Sequence, residues 1–214
     1  MVLSNKAMNL AVVVNTTDKY SHIWDAWYYH FKKHWKHDLP IYFLNEEKDI
    51  PYPFTQIKVN IPDKDLWTKK LRESIKQIPE DNLLILLDDL FLVDGFKEGE
   101  LEFIYKFFLD SDADIIQIRG DSKHTTEAPT KNPKISKLRH DSQYLISHQI
   151  NIWKKEILLE CINIDESPWA SEKKGTSRIQ ERGFNIYHYR KDWFVNVLRK
   201  GKVVPAYKDM LDES

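Results

Sequence analysis

Apolar residues change their spacing several times along the chain, and each change predicts an element. Leu10 to Val14 is an unbroken apolar run rich in valine, closed by Asn15, Thr16, Thr17 and Asp18, which reads as a core strand followed by a polar loop. Ile23, Trp27, Phe31 and Trp35 then recur every four residues with Lys32, Lys33 and Lys36 off the stripe, so an amphipathic helix is predicted that ends at Asp38 and Pro40. Trp27 and Trp35 belong to its core-facing side. Ile41 to Leu44 reads as the next strand, which makes the opening a β-α-β unit of a parallel sheet. Prolines and the weak alternation of Ile57, Val59 and Ile61 make the stretch from Asn45 to Pro62 a loop with a short edge strand. A second helix is expected from about Asp65 to Ile78, with Leu71, Ile75 and Ile78 on one face.

The next run, Leu83 to Leu87, is apolar at every position and too short to span a membrane, so it predicts a strand buried on both faces of a sheet. Asp88 and Asp89 follow at once. Two ionised carboxylates cannot stay dry without a partner, so this end is expected to open onto water, a cation or a basic group. In open α/β sheets ligands bind at that end of the strands.

Beyond Gly95, Leu101, Ile104, Tyr105 and Phe108 have helical spacing, and Ser111 to Asp114 turn the chain into a strand at Ile115 to Ile118. Residues 120–140 have almost no apolar content and predict a long loop, either a flap over substrate or a passive insertion. Tyr144 to Ile152 reads as a strand with its exit, Trp153 to Ile162 as a short helix, Glu166 to Gly175 as irregular, and Phe184 to Tyr189 as a strand before a basic, aromatic tail. The expected class is α/β with a mostly parallel, mixed sheet.

Composition narrows the partners. With 214 residues, 42% hydrophobic and 30% charged, the chain fits one globular domain, and 32 Lys and Arg against 33 Asp and Glu give no bulk attraction to nucleic acid or an anionic membrane. A phosphate site must therefore be local. The single cysteine, Cys161, sits in an apolar segment as a core thiol and favours a reducing compartment. There is no signal-peptide pattern and no run of about 20 apolar residues, so a soluble, cytoplasmic protein is expected, with peripheral membrane contact left open. Six glycines exclude a dinucleotide fingerprint.

Adjacent aspartates at the exit of a buried strand suit a divalent cation, Mn or Mg, that also bridges a diphosphate. The plainer reading has one Asp capping a turn and the other solvated. LLILLDDLFL (Leu83 to Leu92), preceded by LWTKKLRESIKQI (Leu66 to Ile78), resembles the nucleotide-sugar-dependent glycosyltransferases of the GT-A fold, in particular small bacterial and viral members. The corresponding positions here are Trp67, Thr68, Lys70, Asp88 and Asp89, followed by Leu90 and Phe91. ISHQINIWKKEIL (Ile146 to Leu158) and ESPWASEKKGT (Glu166 to Thr176) resemble the acceptor-side strand, helix and Trp-containing loop of that family.

The resemblance implies a Rossmann-like GT-A domain over 1–214, with a nucleotide-sugar-binding half at about 1–119, an acceptor-side half at about 141–214, and a flexible loop at 120–140 between them. Asn15, Thr16 and Thr17 would receive the nucleotide base and ribose, although Thr17 or Asp18 can equally cap the next helix. Trp67 belongs to the same nucleotide-sugar side, and Lys70 would meet a phosphate unless it faces solvent. Asp88, Asp89 and His188 would hold the metal, unless His188 is a structural strand residue. Leu90 stands where an Asp-X-Asp pattern would place its second acid, so either Asp89 is the principal ligand or the metal is bound weakly or not at all. Asp94 is the local substitute for that second acid, or else a turn residue.

For an inverting transfer Glu172 would be the base, with Glu166 as the alternative and a solvated loop acid as the plain reading; a retaining mechanism needs no such base. His148, Gln149 and Trp169 would line the acceptor side, Trp169 stacking on a sugar or lying in the core. The implied activity is transfer of a sugar from a nucleoside diphosphate sugar to a glycan or glycoconjugate hydroxyl. A metal-dependent nuclease or phosphotransferase and a non-catalytic nucleotide-sugar or carbohydrate-binding domain are the competing readings; the charge balance disfavours a nuclease face.

Overall fold

The structure, a computed structural model, describes residues 8–61, 67–120 and 125–213. Its elements run β1 (Leu10–Asn15), α1 (Trp24–His34), β2 (Ile41–Asn45), β3 (Thr55–Lys58), α2 (Trp67–Ile75), β4 (Asn82–Leu87), β5 (Leu90–Leu92), α3 (Glu100–Asp110), β6 (Ile115–Arg119), β7 (Glu127–Pro129), β8 (Ile135–Leu138), β9 (Asn151–Lys154), α4 (Lys155–Cys161), α5 (Pro168–Arg182), β10 (Ile186–Arg190), β11 (Phe194–Asn196), β12 (Leu198–Arg199) and β13 (Lys202–Val203). Nine of the described strands form one sheet in the order β3-β2-β1-β4-β9-β6-β10-β8-β7. β3, β2, β1 and β4 are mutually parallel; β9 runs antiparallel to both β4 and β6, and β10 returns parallel to β6.

The continuous apolar runs have the meaning expected of them. Leu10, Val12, Val14, Leu84 and Leu86 pack into one core layer with α1 and α3, whereas Ala11, Val13, Leu83 and Ile85 pack into the other with α2, α4 and α5. Alternate side chains thus serve opposite faces of the same strands. Truncating one of these leucines to alanine is expected to cost about 2–5 kcal/mol through lost burial and a cavity. Trp27 and Trp35 are buried in the first layer, stacked in series with Phe31.

Three expectations need correction. Glu166 to Gly175, read as irregular, contains the start of the longest described helix: Ser167 caps α5 by accepting the Ala170 N–H at 3.3 Å, Pro168 occupies the first turn, and Gly183 closes the other end with φ 73°. The Ser-Pro start and the glycine stop were the overlooked signals. The stretch 120–140 is not simply a loop, since β7 and β8 pair antiparallel within it and β8 joins β10, with Ile135 and Leu138 buried; residues 121–124 lie outside the described ones. The strand expected from Tyr144 forms only at Asn151, and Trp153 lies on it rather than on the helix. Side chains replace the ladder before that point: the Thr176 hydroxyl accepts from Leu145 N–H at 3.0 Å, and Gln117 donates to the Leu145 carbonyl at 2.9 Å. Among the described residues, no helix is long and apolar enough to cross a membrane.

Candidate active site

β1 and β4 are neighbours in parallel, with Asn15 opposite Leu87, so the polar loop after one and the aspartates after the other emerge together. Asp88 is only 4% exposed. Its Oδ2 accepts from the Thr16 hydroxyl and, at 3.1 Å, from the Trp24 indole N–H, which also donates to Thr16 Oγ1 at 2.9 Å. These donors replace the water or cation expected there. They do not replace a full counter-charge: burial, partly offset by the Thr16 hydroxyl and reinforced by Asp89, pushes Asp88 up from 3.8 to about 7. Asp89 is pushed to about 6 by burial. Its Oδ1 and the Oδ1 of Asn15 are buried without a hydrogen-bond partner among the described residues. Buried polar atoms normally have partners, so these two mark places where a ligand or water completes the structure.

Lys70 comes from the first turn of α2 and is buried rather than solvent-facing. Its Nζ donates to the Thr16 carbonyl at 2.5 Å and to Glu46 Oε1 at 2.6 Å. The ammonium therefore braces the β1 loop instead of standing free for a phosphate. Asp18 braces it from the other side, accepting from Asn45 Nδ2 at 2.7 Å and from the N–H groups of Glu47 and Lys48 at 2.9 Å each. Neither capping expectation holds, because Thr17 makes no side-chain capping bond to the short turn Asp18–Ile23 and Asp18 is committed to the β2 loop.

The residues expected on the acceptor side reach the same end of the sheet from the opposite direction. β9 is antiparallel to β4, with Asn151 opposite Ile85, so His148 and Gln149, just before β9, lie toward the exit of β4. Glu172, on α5, accepts the His148 backbone N–H at 2.8 Å, and burial raises its carboxyl above the usual range. His148 is 7% exposed, packs edge-on against Trp67 with 4.7 Å between ring centroids, and has no partner for Nε2 among the described residues. Burial, aided by the Arg178 cation, lowers it to about 4, so the ring is neutral near pH 7. α2 thereby joins the two groups: Trp67 touches His148 while Lys70, one turn later, holds Thr16. Gln149 is exposed. Trp169 is 72% exposed on the first turn of α5, which rules out the core position and leaves its face open.

Three candidates have other employment. Glu166 forms a bidentate pair with Arg178 at 3.0 and 2.7 Å, and its backbone is laced to Thr68. It fixes α5 against α2 and has no free carboxylate oxygen with which to act as a base. His188 is fully buried with Nδ1 2.7 Å from Glu127 and Nε2 2.8 Å from the Arg119 carbonyl. Both ring nitrogens are engaged, which corrects the expectation of a late metal ligand and favours the structural strand role. Asp94 is a turn residue, its carboxylate accepting the Gly95 N–H at 2.9 Å. Burial pushes the Cys161 thiol to about 12, as expected of an inert core cysteine. Among the described residues, no group of three or more His, Cys, Asp or Glu is placed to hold a metal ion. Sequence reasoning missed Trp24 and Glu46; nothing in a pattern of apolar spacing marks an indole N–H aimed at a carboxylate seen only in the fold.

Comparison with known protein families and with curated sequences finds no match. Solved structures do match. S. aureus TarS superposes with a TM-score of 0.56 at 13% identity, over 86% of this chain and 36% of that one. TarS 1-349 in complex with UDP-GlcNAc gives 0.55 at 12% identity, over 91% and 60%. UTP-bound UGPase from Acinetobacter baumannii gives 0.55 at 11%, over 87% and 86%. The chain shares the overall fold of these proteins. At these identities the likeness concerns architecture, and the chain spans well under two thirds of TarS in either structure. The GT-A-like, mixed α/β architecture expected from the resemblance is the one observed.

Proposed function

We propose that this chain is a glycosyltransferase that moves a sugar from a nucleoside diphosphate sugar to a glycan or glycoconjugate hydroxyl. One observation carries the reading: at the shared exit of β1 and β4, Asn15 and Asp89 each present a buried oxygen without a partner among the described residues. The same fold occurs in TarS solved with UDP-GlcNAc, which makes a UDP-sugar the first donor to try.

In this reading the base and ribose lie along Asn15 to Thr17, and Lys70 and Asp18 keep that loop rigid rather than touching the ligand. The acceptor lies between Trp67, His148 and Trp169. Its hydroxyl oxygen attacks the anomeric carbon, the bond from that carbon to the phosphate oxygen breaks, and the nucleoside diphosphate leaves with the electron pair. In the inverting form Glu172 takes the hydroxyl proton; its raised pKa suits a base working near neutrality, and its bond to His148 N–H fixes its direction. Asp88 supports the site through Thr16 and Trp24.

The donor set fits a divalent cation only if that cation arrives with most of its own ligands. Asp89 would supply the protein oxygen, while Asp88 is held by its two donors and His188 is engaged elsewhere. Mg commonly binds through one or two carboxylates plus substrate phosphates, and such an ion would help neutralise the departing diphosphate.

Nucleotidyl transfer is the second reading, because UTP-bound UGPase shares the fold over 86% of its own length. Against it, the first glycine in the chain is Gly95, so β1 is not followed by a glycine-rich turn that could cradle a triphosphate. Product analysis separates the two. Incubation with UDP-sugars and glycan acceptors, with and without Mn, is expected to release UDP; release of pyrophosphate from UTP and a sugar phosphate would favour the second. Glu172→Gln keeps the bond to His148 N–H and is expected to lower transfer by about 10²–10⁴-fold with donor binding unchanged. Full transfer by that variant would remove Glu172 as the base.

A further inference from the structure

The end of the sheet that holds Asp88 and Asp89 is short of positive charge. Asp88 is buried and Asp89 half-buried, neither forms an ion pair among the described residues, and the Lys70 ammonium is paired with Glu46. A nucleoside diphosphate is itself an anion, so its binding there calls for cationic groups, and the loop after β1 carries one exposed lysine, Lys19, whose ammonium lies over the Tyr20 ring at 5.7 Å.

The C-terminal hairpin lies beside this gap. β11 pairs with β5, the strand that follows the aspartates, and the Val197 N–H then donates to the Asp89 carbonyl at 2.9 Å. From Val197 the chain runs out along β12, turns at Lys200 and Gly201, both with positive φ (53° and 73°), and returns along β13 to a bond from Val204 N–H to the Val197 carbonyl at 2.9 Å. Two successive left-handed residues make a tight two-residue turn matched to strand twist. That turn abuts the other loop: a β-carbon on Gly201 would lie 3.4 Å from the Tyr20 hydroxyl. The Tyr20 phenol is held up by burial and then by the charges of Asp88 and Asp89, which places it within their electrostatic reach. Leu198 to Val203 contains Arg199, Lys200 and Lys202 and no carboxylate. All three are exposed, and none forms an ion pair among the described residues.

We propose that the Leu198–Val203 hairpin is the diphosphate clamp of the donor site, with Arg199, Lys200 and Lys202 engaging the phosphate oxygens. The clamp rests on the nucleotide-sugar reading above and specifies where its counter-charge comes from. As the bond between the anomeric carbon and the phosphate oxygen breaks, the electron pair stays on the diphosphate, and the guanidinium and ammonium groups stabilise that charge. Its rigid base, fixed to Asp89, sets their position, and the exposed side chains reach inward without disturbing the core.

Calorimetry with UDP tests the assignment, in EDTA and again in Mn. The triple variant Arg199→Ala, Lys200→Ala, Lys202→Ala is compared with a control, Lys32→Ala, Lys33→Ala, Lys36→Ala, which removes the same net charge from the end of α1 and the residues just after it. The expected result in EDTA is a loss of UDP affinity of about 10- to 100-fold for the hairpin variant and less than about twofold for the control, with both melting as the unmodified protein does. Equal losses in the two variants would mean bulk charge alone and overturn the clamp. So would unchanged affinity in the hairpin variant, or binding that disappears in EDTA and is indifferent to the hairpin. If the unmodified protein bound neither UDP nor any other nucleoside diphosphate, the donor reading itself would fall and the clamp with it.

Discussion

Two regions of this molecule bury charge in opposite ways. Around α5 and β10 two acids, Glu166 and Glu127, have matched partners: Glu166 meets Arg178 through two bonds, and Glu127 accepts from Ser136, His188 and Arg190. At the exit of β4, Asp88 and Asp89 sit side by side with neutral donors or none, and burial lifts both toward neutral pH. The first arrangement holds elements together. The second is destabilising in the free protein and makes sense where a ligand supplies what is missing. Carboxylates of the same type thus take opposite roles according to whether the fold completes their surroundings.

The contrast can be broken from either side. The largest effect is expected for Arg178→Ala, which leaves the buried Glu166 with only the exposed Lys174, 3.9 Å away, and is expected to cost about 3–5 kcal/mol in urea or thermal unfolding. A loss under about 1 kcal/mol would mean that the pair is not structural. Next comes Asp88→Asn. An acid raised from 3.8 to about 7 contributes its full stability below about pH 4 and loses it as pH rises through about 7, so the ligand-free protein weakens over that window. At pH 8 the asparagine variant is expected to be more stable than the parent by about 4 kcal/mol, and at pH 4 the advantage should vanish. Destabilisation at both pH values would show that Asp88 is structural after all.

Smaller again is Trp24→Phe, which removes the indole donor to Thr16 and Asp88 while keeping most of the packing. It is expected to cost about 1–2 kcal/mol. Glu172→Gln should change stability least, by under about 0.5 kcal/mol, because the amide oxygen still accepts from His148 N–H. An unfolding midpoint that drops sharply in this variant would move Glu172 from the reacting group to the scaffold.

The same contrast explains what was legible in the sequence. The parallel half of the sheet could be read because unbroken apolar runs such as Leu83 to Leu87 record burial on both faces locally. Aspartates following such a run located the candidate site. The mixed half was harder. There β7 is three residues long and carries Glu127, whose purpose is visible only when His188 and Arg190 arrive beside it from more than fifty positions away. Tyr144 to Ile152 looks strand-like, yet before Asn151 Thr176 and Gln117 bind the Leu145 backbone in place of a ladder. Lys70 looked like a free cation because its partner, Glu46, comes from another loop. The start of α5 was readable in principle, from Ser167, Pro168 and Gly183, and the tryptophan and lysines between them obscured it.

On the proposed function, the common exit of β1 and β4 receives a nucleoside diphosphate. A crystal structure of the protein with UDP tests it most directly. The account predicts the uridine along Asn15 to Thr17, a ligand or ordered water on Asp89 Oδ1, and the diphosphate facing Arg199, Lys200 and Lys202. UDP bound elsewhere, for example in the groove of α1 lined by Asp25, Tyr28 and Lys32, with Asn15 and Asp89 untouched, would contradict it.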